Sequence, residues 1–330
     1  MRILIWHGWL LEGSGSNVGT ARIAEAWRAA GHDVALLCQE RHPERYPWID
    51  TECVLDGDGP SEVTDRRGRG GVGRCVLLRP LIGPTLPVFV LDRYEGFDDV
   101  RTFLDLADDE LEVYLRANVD ALAAAAEWHR SEFVIVGHAV PGPAIARRAV
   151  GAGGFIAKVH GSDLEYAVRP QERYRELARE GLGAARAVLG PTIEVLERCA
   201  GFVPEMRHLA RVVAPGVDVE AFRPRPRVEA LADVAERLTI DPDRQRGRPA
   251  GTDTSVERAL DARDASALDA IGATYAQDVP EPDAPTRLAA SATGTAPIVG
   301  YLGKLIPQKG VALVLAAQHE VARETEALIV

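Results

Sequence analysis

Arg2-Ile-Leu-Ile-Trp6, followed at Val34-Ala-Leu-Leu-Cys38 by a second apolar run, decides the fold of this chain. The first run reads as a buried strand, and residues 8–19 as a Gly/Ser-rich loop. A helix follows with Ile23, Ala24 and Trp27 on one face and Gly31 at its C-terminal cap. Strand, helix and strand in that order predict a parallel sheet. The fold class expected is therefore α/β.

The same reading extends along the chain. Short apolar runs at 75–78, 88–91, 133–136, 155–159, 187–189 and 212–214 are expected as strands. Asp108 or Asp109 caps a helix to about His129 with Leu111, Leu115, Val119 and Leu122 inward, and Thr192 caps another to about Cys199. Asp56-Gly-Asp58 lies among turn residues and reads as a turn rather than a metal-binding acid pair. Residues 225–296, rich in Ala, Arg, Asp and Pro, predict amphipathic helices at 228–238 and 256–268, an insertion or linker with no chemistry of its own. After it, 298–302 reads as a strand, Gly303 as a tight turn, and 311–317 as a helix, with Lys304 and Lys309 in the connecting loop. A cationic loop at a helix N-terminus suits a phosphate or diphosphate, although taken alone a solvated turn with two lysines is the first reading.

Composition narrows the function classes. A chain of 330 residues predicts about two domains. Its net charge of -11 excludes a general nucleic-acid binder. Cys38, Cys53, Cys75 and Cys199 show no metal or disulfide spacing, so a reducing, cytoplasmic setting is expected, without cofactor or metal. No run approaches the roughly 20 apolar residues of a membrane span. Peripheral contact with a membrane surface is left open.

Candidate site residues cluster where strands end. Ligand crevices in open α/β sheets lie outside the carboxyl ends of the strands. His138 follows one such strand, and His160-Gly-Ser-Asp163 the next; they read as polar ligand contacts, since they lack the helical spacing of zinc ligands. Arg93, Tyr94 and Glu95 follow another, as acceptor contacts or a plain loop anchor. The Gly13-Ser-Gly15-Ser-Asn-Val-Gly19 stretch is near a dinucleotide fingerprint, with Glu40 about where a ribose-binding acid belongs. However, its first glycine lies six residues beyond Trp6 and its spacing is one residue too long. A loop closing over a sugar or acceptor is the alternative, and a flexible surface loop the plain one.

In this order the motifs resemble retaining glycosyltransferases of the GT-B fold, family 4. The carriers are the Gly-rich loop, Gly31-His-Asp-Val34, His138, His160-Gly-Ser-Asp163, Pro215-Gly-Val-Asp218 with Phe222 and Pro224, and Gly303-Lys-Leu-Ile-Pro-Gln-Lys309-Gly310. The resemblance covers 1–224 and 297–330. It implies a Rossmann-like acceptor domain over 1–224 and a second, nucleotide-sugar domain over 297–330 that is only begun, so that the sequence is expected to be a fragment. It also implies a metal-independent hexosyltransferase-type activity between a nucleotide diphosphate sugar and a sugar, glycan or lipid-linked acceptor.

By the resemblance, His138 lines the transferred sugar, Lys304 and Lys309 neutralise the leaving diphosphate, and the Gly13 to Gly15 loop closes on donor and acceptor. Gly303, His160 and Asp163 join them as binding residues. Lys304 stands where many members carry arginine, and Ala214 where asparagine is common. Two alternatives stand beside this reading: a non-catalytic binding or assembly module on a partial scaffold, and a dinucleotide-dependent oxidoreductase.

Overall fold

A computed structural model of the chain describes residues 1–56, 59–65, 72–91, 94, 96–240, 252–274, 284–295, 297–301, 309–325 and 328–329. It divides into two compact units, Met1–Gly216 and Val217–Val330.

In the first unit the β-α-β opening forms as the sequence predicts. Strand β1 (Arg2–Trp6) leads to helix α1 (Gly15–Ala29) and back to β2 (Asp33–Leu37), which pairs parallel to β1. The helix starts earlier than expected. Ser14 is extended and its Oγ accepts from Asn17 N–H at 3.3 Å, so Gly15 and Gly19 are helical, not loop. A side-chain cap on an orphan N–H outweighs the low helix propensity of two glycines. Gly31 follows the helix at φ 87°, a left-handed position that its missing Cβ permits.

The chain then forms β3 (Thr51–Asp56), β4 (Gly59–Asp65) and β5 (Arg74–Pro80). The turn expected at 56–58 joins an antiparallel pair, Asp56 opposite Gly59, though residues 57 and 58 lie outside the described residues. The strand expected at 88–91 is found as β6 (Thr85–Val88), paired with β7 (Asp99–Thr102) in a small separate sheet. Helix α2 (Asp108–His129) is not capped by either aspartate. Ala107 is the cap residue, and Glu110 Oε2 accepts from its N–H at 2.9 Å.

Alternating strands and helices complete the unit: β8 (Phe133–Gly137), α3 (Gly142–Val150), β9 (Ile156–Lys158), α4 (Glu172–Leu182), β10 (Ala187–Gly190), α5 (Ile193–Phe202) and β11 (Ala210–Val212). Thr192 caps α5 as predicted, and β11 sits two residues before its expected place. The nine strands of the main sheet run in the order β11-β10-β9-β8-β1-β2-β5-β3-β4, parallel except for β4.

Alternation along β1 sends Ile3 and Ile5 into one apolar layer, with α1, and Leu4 and Trp6 into the other, larger layer. Both faces are thus buried near β1, and the fold class is the α/β one expected. Arg28 at the end of α1 is tied to Asp50 before β3: Nε and Nη2 donate to the two carboxylate oxygens, each at 2.7 Å. Asp50 Oδ2 also accepts from Cys75 N–H at 2.8 Å. All four cysteines are buried as free thiols, and burial raises the pKa of each, Cys199 to about 12.

The second unit carries α6 (Arg227–Ile240), α7 (Thr252–Asp261), α8 (Ala265–Thr274) and α9 (Ala284–Ala292). The single helix expected over 256–268 is split, because Arg263 adopts φ 53° between α7 and α8. Then β12 (Ile298–Val299), α10 (Val311–Thr325) and β13 (Leu328–Ile329) form a second, shorter β-α-β with its strands parallel.

Candidate functional site

The site lies where β1, β8 and β9 end. Each strand delivers a histidine just past its last residue: His7, His138 and, two residues on, His160. The backbone fixes them from the sheet. His7 N–H donates to Leu37 O and His138 N–H to Lys158 O, both at 2.8 Å. His138 sits at φ 69°, a left-handed conformation uncommon outside glycine. Its ring lies against that of His160, with centroids 4.6 Å apart and the planes tilted by 43°. Trp9 meets the other side edge-on at 4.7 Å, and Phe89 lies at 4.9 Å.

Hydrogen bonds orient the other groups. Asn17 Nδ2 donates to Glu12 O, which turns Oδ1 toward His7 Nε2 at 3.0 Å. The imidazole proton is thereby assigned to Nε2. Asp163 is fully buried; its Oδ2 accepts from Ala139 N–H, and its Oδ1 lies 3.7 Å from His138 Nδ1. Neither of those last two atoms has a hydrogen-bond partner. A short inward shift of the ring would join them. Asp163 thus holds the turn that carries His138.

Burial favours neutral rings at His7 and His160. Burial lowers His7 to about 3, with the His138 ring adding to it. Burial also lowers His160 to about 2, reinforced by His138, Lys158 and His7. Unfolded histidine takes up its proton near 6.5. The unfolded chain therefore binds more protons than the fold below that value. The stability these two residues contribute is full above 6.5 and falls as pH falls toward 3. Between pH 7 and 5 the loss expected is about 1–2 kcal/mol for each ring. His129, lowered by burial, adds in the same direction. Urea midpoints across that range test this: they should fall, His7→Gln should flatten the slope, and a flat wild-type profile would contradict it.

The other sequence-predicted residues scatter. Gly13 sits in the turn before α1 at φ 84°, and Gly15 opens the helix; a Cβ on either would meet open space. Tyr94 is half-buried against the core, while Arg93 and Glu95 lie outside the described residues. Lys309 is exposed just before α10 in the second unit, and Gly303 and Lys304 lie outside the described residues. Sequence reasoning missed His7, Trp9, Asn17 and Lys158. The strand-end rule that selected His138 applies equally to His7; Trp9 and Asn17 carry no comparable signal.

Glu40 has a different job from the ribose contact weighed for it. Its carboxylate is buried and accepts from the N–H groups of Leu11 at 3.0 Å, Arg41 at 3.0 Å and His42 at 2.9 Å. It ties the loop after β1 to the loop after β2. Among the described residues, no three His, Cys, Asp or Glu side chains gather as a metal ligand set. No described helix is long and apolar enough to cross a membrane.

Comparison with known proteins gives structural likeness only. No protein-family profile and no curated protein sequence matches the chain. Among solved structures it is similar to a sucrose-phosphate synthase from Thermosynechococcus elongatus, at 15% identity and TM-score 0.47, covering 100% of this chain and 85% of that one. A glycosyltransferase from Rickettsia africae follows at 12% identity and TM-score 0.43, covering 100% of this chain and 67% of the other. WaaG, a glycosyltransferase involved in lipopolysaccharide biosynthesis, aligns at 12% identity and TM-score 0.36, over 99% and 69% of the two chains.

Proposed function

We propose that the chain belongs to a retaining glycosyltransferase of the GT-B type, family 4, which moves a sugar from a nucleotide diphosphate sugar to an acceptor hydroxyl in glycan or glycoconjugate synthesis. The observation that carries this reading is the contact of His138 with His160 at the carboxyl ends of adjacent parallel strands. The motif order of the sequence supports the same reading. The neutral His160 imidazole can both give and accept a hydrogen bond, which suits a sugar hydroxyl better than a charged group would.

In the reaction, the bond from the anomeric carbon to the acceptor oxygen forms on the face from which the diphosphate departs. The anomeric bond to the diphosphate breaks, and the acceptor proton passes to the departing phosphate oxygen. His138 would orient the sugar, and Lys304 and Lys309 would take the charge that develops on the diphosphate. Fixed cations in that role make a divalent metal unnecessary.

The dinucleotide reading loses its ribose acid, because the Glu40 carboxylate already holds three backbone N–H groups. A thermal-shift panel of UDP, GDP and ADP sugars on the intact full-length protein tests the proposal, followed by hydrolysis and transfer assays with and without EDTA. One nucleotide family should raise the midpoint and be turned over regardless of EDTA. No shift and no turnover with any of them would sink it.

A further inference from the structure

On the α1 side of the same strand ends lies a cavity of about 140 Å³. Ile23 and Trp27 of α1, Ile135 of β8 and Leu189 of β10 make its walls apolar, and Lys158 and His160 bring the polar groups. Strand alternation puts Lys158 there. Ala157 enters the large core, so its neighbour emerges on the opposite face, half-buried in the cavity.

Among the described residues, the Lys158 ammonium has neither an acid nor a hydrogen-bond partner. That is unusual company for a lysine. Elsewhere in this acidic chain the buried cation Arg28 is matched by a carboxylate held bidentately. Burial alone lowers Lys158, with no carboxylate near enough to oppose it, and its charge in turn helps keep His160 and His7 neutral. The cavity therefore carries one desolvated positive charge without a counter-charge, in a setting where an anion would interact far more strongly than in water.

We propose that this cavity is a binding site for a small amphipathic carboxylate, its head group on Lys158 and His160 and its apolar body against Trp27, Ile23 and Leu189. The charge balance favours carboxylate over phosphate. Lys158 is the one cation in the lining and matches the single charge of a carboxylate, with an N–H of His160 beside it, whereas the Thr20 hydroxyl already donates to Ser16 O at 2.8 Å. A phosphate dianion would bring a second negative charge with nothing to balance it among apolar walls. The size fits one ring plus a head group, well below the roughly 300–1,000 Å³ of sites for drug-sized ligands. The site shares His160 with the glycosyl-transfer reading, but its test needs no nucleotide sugar and so can fail or succeed separately.

The test is calorimetric titration of the purified chain with phenylacetate, phenylacetamide and phenyl phosphate. Phenylacetate is expected to bind, and the neutral amide and the phosphate to bind about tenfold or more weakly, the loss that accompanies one charge-assisted hydrogen bond. Lys158→Met keeps the stem and removes the charge, and should weaken phenylacetate by the same factor. Leu189→Trp fills the cavity and should abolish binding, with circular dichroism confirming the fold of both variants. Absence of phenylacetate binding at millimolar concentration would overturn the proposal. So would amide or phosphate binding as tight as phenylacetate, or unchanged affinity in either folded variant.

Discussion

Asp50→Ala should cost this chain about 3–5 kcal/mol of stability, the range for breaking a buried ion pair from one side. The Arg28 and Asp50 side chains are only 11% and 10% exposed. Removing the carboxylate leaves a guanidinium with two unmet donors and strips Cys75 N–H of its acceptor at the start of β5. Both losses fall where α1 meets the strands, so denaturant unfolding should register them in full. Replacing both partners at once, as Arg28→Met with Asp50→Leu, should cost much less, because no charge is then stranded. Burial works against the Asp50 carboxylate, but the Arg28 and Cys75 hydrogen bonds outweigh it and hold its pKa below the usual 3.8. The stability it supplies is therefore present above that value and lost as pH falls through the lowered one. A double variant as unstable as Asp50→Ala would show that volume, not charge, dominates the site.

His138→Asn should lower kcat/KM for the donor selected by the nucleotide-sugar panel by about 10²–10³, the range for losing one preorganised transition-state donor. Asparagine suits this test because it tolerates the left-handed backbone that His138 adopts at φ 69°. It removes the ring that touches His160 while leaving the turn that Asp163 holds through Ala139. A loss confined to KM would make His138 a binding contact only. Activity within threefold of the wild type would remove it from the reaction.

The sheet was legible because its strands are short apolar runs separated by helices with clear caps, as at Thr192. The misplacements have local causes. Ser14 starts α1 inside what reads as a glycine loop, and the β3–β4 hairpin hides in alternation too polar to stand out, Glu52 and Thr64 facing one another. The site was half legible. His138 and His160 follow from one rule about strand ends, but their ring contact and the left-handed backbone of His138 are announced by no sequence pattern. Lys158 reads as an ordinary strand residue until the sheet shows that its counter-charge is missing.

The four buried thiols have a practical side. None is ionised at neutral pH in the fold, and each is shut away from reagent. Cys38, Cys53 and Cys75 sit in or beside β2, β3 and β5, while Cys199 lies in α5 toward the other end of the sheet. The chain thus carries its own clock for local opening. The order in which these thiols become reactive would tell which end of the sheet breathes first, with no label added.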